Sequence, residues 1–263
     1  MPRALARLRG MQQPATFEVD PASGRIQCRG GALALDEVEW EVPVAGAVYG
    51  TLLNYKGAVA ALGEAMLAPP YQAPPVAPVL YLKPANTWIG CGRAIPLAPE
   101  IDAVEIGAAL AVVFGRSARR VRAEEALDYV RGFTIVNDVS VPHASLFRPA
   151  VRQRCRDGFC PIGPWIVDKR DLARPGELGV RIRINGELRL ENSTANLVRG
   201  IGHLIADVSA FVTLRAGDLL HVGTPEKAPL ARAGDRVSIE IEGVGRLENR
   251  LVAEGDAGPG GGG

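Results

Sequence analysis

Apolar and polar residues alternate over Thr16–Val19 (TFEV) and Val38–Val42 (VEWEV), between Gly and Pro breaks, which predicts a small hairpin-rich region at the start of the chain. The segment AVYGTLLN, residues 47–54, predicts a buried strand, and apolar residues then recur at helical spacing from Lys56 to Leu67. A proline-rich crossing loop, APPYQAPPVAP at 68–78, is the best internal boundary. Beyond it, Val79–Leu82 is a short strand. The continuous apolar run AALAVVF, 108–114, predicts a strand covered on both faces. A short helix begins at Glu124, and GFTIVND, 132–138, is a further buried strand. Residues 180–187 alternate around Asn185-Gly186, the signature of a type I′ hairpin turn. Ser193-Thr194 is positioned to cap a helix running to about Leu214. Residues 218–224 and 236–242, each after a Gly-Asp turn, are two more strands.

Many strands and few helices predict a β-rich mixed α/β fold. The predicted organisation is a small N-terminal β-rich region over 1–75, a main domain over 76–254 and a disordered Gly-rich tail over 255–263.

Composition narrows the class of partner. The 263 residues carry 30 Lys+Arg against 29 Asp+Glu, and a net charge of +1 argues against nucleic acid or an acidic membrane surface. No window holds the roughly 18 apolar residues of a membrane span. The basic start MPRALARLRG has no apolar segment behind it, so no secretory leader is expected. The cysteines Cys28, Cys91, Cys155 and Cys160 form no CxxC pair, and reduced thiols in a cytoplasm are expected.

Candidate chemistry collects where strands end. Asn137-Asp138 closes an apolar strand, and its carboxylate is either a capping group or a ligand presented to a cleft. Arg148, Arg152, Arg154, Arg156 and Asp157 crowd the next segment, as a solvated face or as a carboxylate-binding cluster, since guanidinium offers bidentate geometry to planar anions. Gly223-Thr224-Pro225 ends a strand with a hydroxyl and free amides, a candidate carboxylate nest. His143, five residues past Asp138, is a candidate for proton transfer. His203 is expected to pack within its helix, and His221 to be a half-buried strand residue. Nucleotide, P-loop, serine-hydrolase and zinc-protease motifs are absent from the sequence.

Together the segments LLNY (52–55), LYLKPANTWIG (80–90), ALAVVFGR (109–116), EEALDYVRGFTIVNDVS (124–140), RDGFCPIGPWIVD (156–168), INGE (184–187), LRAGDLLHVGTP (214–225) and AGDRVSIEIEGVGRLEN (233–249) resemble the fumarylacetoacetate hydrolase family, in the family's order across roughly 47–251. PPYQAPP, KPANTWIGCG, NDVS, FRP and CRDGFCPIGP bring the likeness closer to its isomerase/decarboxylase branch in 4-hydroxyphenylacetate (homoprotocatechuate) degradation. The resemblance implies a β-roll fold with a small N-terminal region, and a homodimer or a heteromer with a second family subunit. It also implies bound Mg²⁺ or Mn²⁺, and action on 5-oxopent-3-ene-1,2,5-tricarboxylate and 2-hydroxyhepta-2,4-diene-1,7-dioate. Both reactions pass through a dienolate of a 2-oxo acid, whose charge a hard cation can hold.

Mapped onto the family pattern, Asp138 falls on a metal-ligand position, while the two glutamate ligands fall on Gly107 and Ala109. Glu105 is a possible substitute, because strand alternation keeps it on the face of position 107, about 7 Å away. The lid acid/base pair falls on Ala58 and Ala61, and the active-site lysine on Arg154. The resemblance therefore implies Arg154, Lys83 and His143 as catalytic, Arg148, Asp157, Thr224 and Asn137 as substrate-binding, and Asp138 as the metal-side carboxylate. A degenerate structural or regulatory subunit paired with a full-triad chain, and a 1,3-diketo-acid hydrolase of the acylpyruvase type, are the alternatives.

Overall fold

The computed structural model describes residues 1–28, 31–143 and 149–256. Strands β1 (Arg3–Leu8), β2 (Ala15–Asp20), β3 (Arg25–Cys28), β4 (Gly31–Ala34) and β5 (Trp40–Glu41) form the N-terminal region. Then come β6 (Val48–Leu52), α1 (Lys56–Leu62), β7 (Val79–Lys83), β8 (Trp88–Ile89), β9 (Ala94–Leu97), β10 (Val104–Glu105), β11 (Ala108–Phe114), β12 (Val130–Asn137), α2 (Val151–Arg154) and β13 (Cys160–Asp168). The C-terminal part holds β14 (Gly179–Ile184), β15 (Glu187–Ser193), α3 (Ile201–Ser209), β16 (Leu219–His221), β17 (Leu230–Ala231), β18 (Arg236–Ile241) and β19 (Gly245–Ala253).

The larger sheet runs β4-β3-β2-β1-β13-β12-β11-β16-β6-β7, and a second runs β15-β14-β18-β19-β9. The run predicted to be covered on both faces is β11. Ala108, Leu110, Val112 and Phe114 enter the main core, while Ala109, Ala111 and Val113 pack into a second cluster with Val48, Val136 and Ile162. Period two sends alternate residues to opposite faces, so only a strand buried on both sides tolerates an unbroken apolar string. Asn185 (φ 53°) and Gly186 (φ 85°) make the predicted left-handed turn between β14 and β15.

The helix expected from Ser193 to about Leu214 is shorter. Ser193 does cap, accepting the Ala195 N–H at 3.2 Å, but only a 3₁₀ turn over Thr194–Asn196 follows. Asn54 then competes for the chain: its carbonyl takes the Val198 N–H and its side-chain oxygen the Arg199 N–H, both outside any helix. The helix proper is α3, with Ile201, Leu204, Ile205 and Val208 buried. His203, expected to pack inward, is exposed on its other face. The proline-rich loop at 68–78 leads from α1 to β7, which is a hydrogen-bonded neighbour of β6 in one sheet.

Candidate active site

Strand β12 delivers Asp138 to the end of the sheet, where its N–H donates to the Gly107 carbonyl at 2.8 Å. The carboxylate is 2 % exposed and two cations meet it. Lys83 Nζ lies 2.8 Å from Oδ1, and Arg154 donates to Oδ2 at 2.6 Å. The Lys83 ammonium also donates to the carbonyls of Val139, Arg154 and Phe159 at 2.7–2.9 Å. Those three acceptors use its three protons, so Oδ1 feels the ammonium's charge without receiving one of its hydrogen bonds. Burial pushes the Asp138 carboxyl upward, but Lys83 and Arg154 outweigh it and hold the group well below the usual carboxylate range. Asp138 is therefore a permanent anion.

Two residues that the sequence left without a role complete the cluster. Tyr81 lies two positions before Lys83 on β7, so strand alternation puts both side chains on one face. Its ring crosses Gly50, its register partner on β6, where any Cβ would collide with it. The Tyr81 hydroxyl donates to Asp138 Oδ2, and its oxygen lies 2.9 Å from His221 Nε2. Burial, then the charge of Asp138, push the Tyr81 phenol well above its ordinary value of 10. His221, expected to be half-buried, is fully buried on β16; burial lowers it to about 4, and the ring is neutral at pH 7. The Arg154 guanidinium stacks 5.0 Å from the Tyr81 ring centroid. Spacing was the available signal for Tyr81; for His221, embedded in the apolar run LLHVG, there was none.

Tyr81, Arg154 and His143 line a cleft of about 730 Å³, whose other walls include Leu80, Val151 and Phe211. Asp138 sits behind Tyr81 and Arg154. Arg154 Nε and His143 Nε2 are buried without a hydrogen-bond partner, so the wall keeps unsatisfied polar groups beside apolar surface. In a second cleft of about 630 Å³, Arg9 pairs with Glu39 and Arg236 with Glu248, each at 2.5 Å.

The other expected site residues divide between the cluster and the surface. Thr224 packs beside Gly107 and Asp138. Asn137 is buried, with its side-chain oxygen unpartnered. Asp157 is exposed and accepts from Asn86 Nδ2 at 2.6 Å, outside the lining of the cleft. Arg148 lies outside the described residues. Glu105 pairs through its backbone with Ser140; burial raises its carboxyl, against the pull of Arg154 and His143.

The residues do not fit a divalent cation. Such an ion takes about six oxygen ligands, and Mg²⁺ can keep waters for several of them, but one carboxylate already compensated by two cations makes no tight site. The unsatisfied carboxylate oxygen of this cluster, Asp138 Oδ1, already faces an ammonium. Position 107 has no space for a ligand: a Cβ there would stand 2.6 Å from the Asp138 carbonyl and 2.9 Å from the Thr224 methyl. Among the described residues, no three His, Cys, Asp or Glu side chains converge.

The family model for the fumarylacetoacetate hydrolase C-terminal domain matches residues 47–252, and the chain belongs to this family. It is 40% identical over 209 residues to the 4-hydroxyphenylacetate degradation bifunctional isomerase/decarboxylase of Escherichia coli, a match covering 80% of this chain and 48% of that protein. The chain thus spans about half the length of the curated relatives it matches first. Its fold superposes on 2-hydroxyhepta-2,4-diene-1,7-dioate isomerase from Mycobacterium marinum with a TM-score of 0.76 and 29% identity, covering 96% of this chain and 99% of that one. Maleylpyruvate hydrolase from Sphingobium sp. SYK-6, solved with manganese(II) and pyruvate, shares the fold at 24% identity and a TM-score of 0.73, over 95% of this chain and 99% of its own. Among the described residues no helix is long and apolar enough to cross a membrane.

Proposed function

We propose that this chain is an isomerase/decarboxylase unit of aromatic-acid catabolism, acting in the cytoplasm on unsaturated 2-oxo and 2-hydroxy dicarboxylates. Its substrates are 2-hydroxyhepta-2,4-diene-1,7-dioate and 5-oxopent-3-ene-1,2,5-tricarboxylate. The observation that carries this reading is the placement of Arg154, anchored on Asp138 with its Nε unsatisfied, in the wall of an apolar cleft. The guanidinium binds a substrate carboxylate, and the apolar walls take the conjugated chain. In ketonisation the 2-hydroxyl loses its proton and a carbon of the diene gains one. In decarboxylation the C–C bond to a carboxylate breaks, CO₂ leaves, and the electron pair enters the conjugated system. Both place negative charge on the 2-oxygen. His143, with an unsatisfied Nε2 in the same wall, is the proton-transferring group. Magnesium or manganese has no step here, because this site does not fit it.

The filled position 107 favours one second reading, a structural subunit paired with a relative that keeps all its ligands. Ultraviolet assay of dienoate consumption separates the two, using the purified chain alone and with a full-triad family chain. The first reading expects turnover by the chain alone, reduced at least about 100-fold in kcat/KM by Arg154→Ala. Turnover seen only with the partner, and untouched by Arg154→Ala, would establish the second.

A further inference from the structure

The reaction proposed above needs a group to hold charge on the 2-oxygen, and this site has no ligand set for a cation to do so. Three observations converge on a replacement. First, the hydrogen bonds around Tyr81 run in one direction. His221 Nδ1 accepts the Gly223 N–H at 3.2 Å, so the single proton of the neutral ring sits on Nε2 and points at the Tyr81 oxygen 2.9 Å away. The Tyr81 proton is thereby directed outward, and in the resting site it rests on Asp138 Oδ2. Second, Asp138 does not depend on that proton. Arg154 donates to the same oxygen at 2.6 Å and Lys83 stands 2.8 Å from the other, so the carboxylate stays compensated when the hydroxyl turns away. Third, Tyr81 lines the cleft beside Arg154, whose guanidinium nitrogen lies 3.5 Å from the Tyr81 oxygen.

Resting on the functional reading above, we infer that Tyr81 is a catalytic residue whose hydroxyl donates to the substrate's 2-oxygen, with His221 as the positioning residue that aims it. When substrate binds, the O–H swings from Asp138 to the oxyanion, His221 continues to donate to the phenol oxygen, and Arg154 supplies the positive charge alongside. No proton changes owner at Tyr81, and the phenol remains neutral throughout. The Tyr81 hydroxyl, held by His221, and the Arg154 guanidinium together do the electrostatic work elsewhere given to a cation.

The test uses the full chain, with oxalate as a mimic of the planar enolate. Tyr81→Phe keeps the ring over Gly50 and removes only the donor. It is expected to lower kcat about 100-fold with KM changed less than 3-fold, and to weaken oxalate binding, read by calorimetry, at least about 10-fold. His221→Ala is expected to lower kcat about 10-fold, and His221→Gln, which can present an N–H to the same oxygen, to restore most of it. A merely structural role for His221 would show no such rescue. Wild-type chain that binds oxalate while Tyr81→Phe binds and turns over within 2-fold of it overturns the assignment and leaves the functional reading standing. Wild-type chain that neither binds oxalate nor consumes dienoate removes both.

Discussion

His221 links the site to the stability of the whole chain. Its ring ordinarily titrates near 6.5 and is held at about 4, chiefly by burial; Asp138 pulls it up, while Lys83 and Arg154 push it down. The folded state thus resists a proton that the unfolded state takes up. Between pH 6.5 and 4 the unfolded chain binds one more proton at this residue, so stability falls with acidification by about 1.4 kcal/mol per unit, or about 3 kcal/mol in all. Asp138 adds little in that window, because the stability its lowered carboxyl contributes is lost mainly as the pH falls through and below its ordinary value of 3.8. Urea unfolding at pH 7, 6, 5 and 4 should follow this slope in the wild-type chain. The His221→Gln chain should lack most of it; an unchanged slope would place the acid sensitivity elsewhere.

At the scale of elements, the decisive junction is the entry to β11, where β10, β11 and the end of β12 meet. Gly107 is held so closely by the Asp138 carbonyl and the Thr224 methyl that the backbone has closed over the ligand position. Gly107→Ala is accordingly expected to destabilise the chain by about 2 kcal/mol through overpacking, measured by thermal or urea unfolding. A neutral or stabilising result would mean that the junction opens easily and that a ligand there remains sterically possible. The helix predicted from Ser193 shows how such junctions override local propensity. Its capping residue behaves as the sequence implies, yet the next residues are taken by Asn54 from a distant turn.

At the scale of the whole molecule, the chain spans about half the length of the bifunctional relatives it matches first. Isothermal titration of the purified chain with MgCl₂ or MnCl₂ near pH 7 is expected to show no micromolar binding, because two fixed cations already compensate the buried Asp138 carboxylate. Micromolar affinity would contradict this.

The sequence by itself determined several of the strands, the doubly buried β11, the Asn185-Gly186 hairpin, the family, and the presence of Asp138 at a strand end. The strands and the hairpin follow from periods of two and from turn chemistry, which are properties of neighbouring residues, and the family from the motifs the chain shares with it. Only the tertiary structure decided what surrounds Asp138. Tyr81 stands 57 residues before it, and His221 lies 140 beyond Tyr81; they meet because the sheet order places β12, β16 and β7 around one end. Local periodicity fixes which face a side chain takes, but not which distant strand will face it. That choice rests on sheet register and core packing across the whole fold.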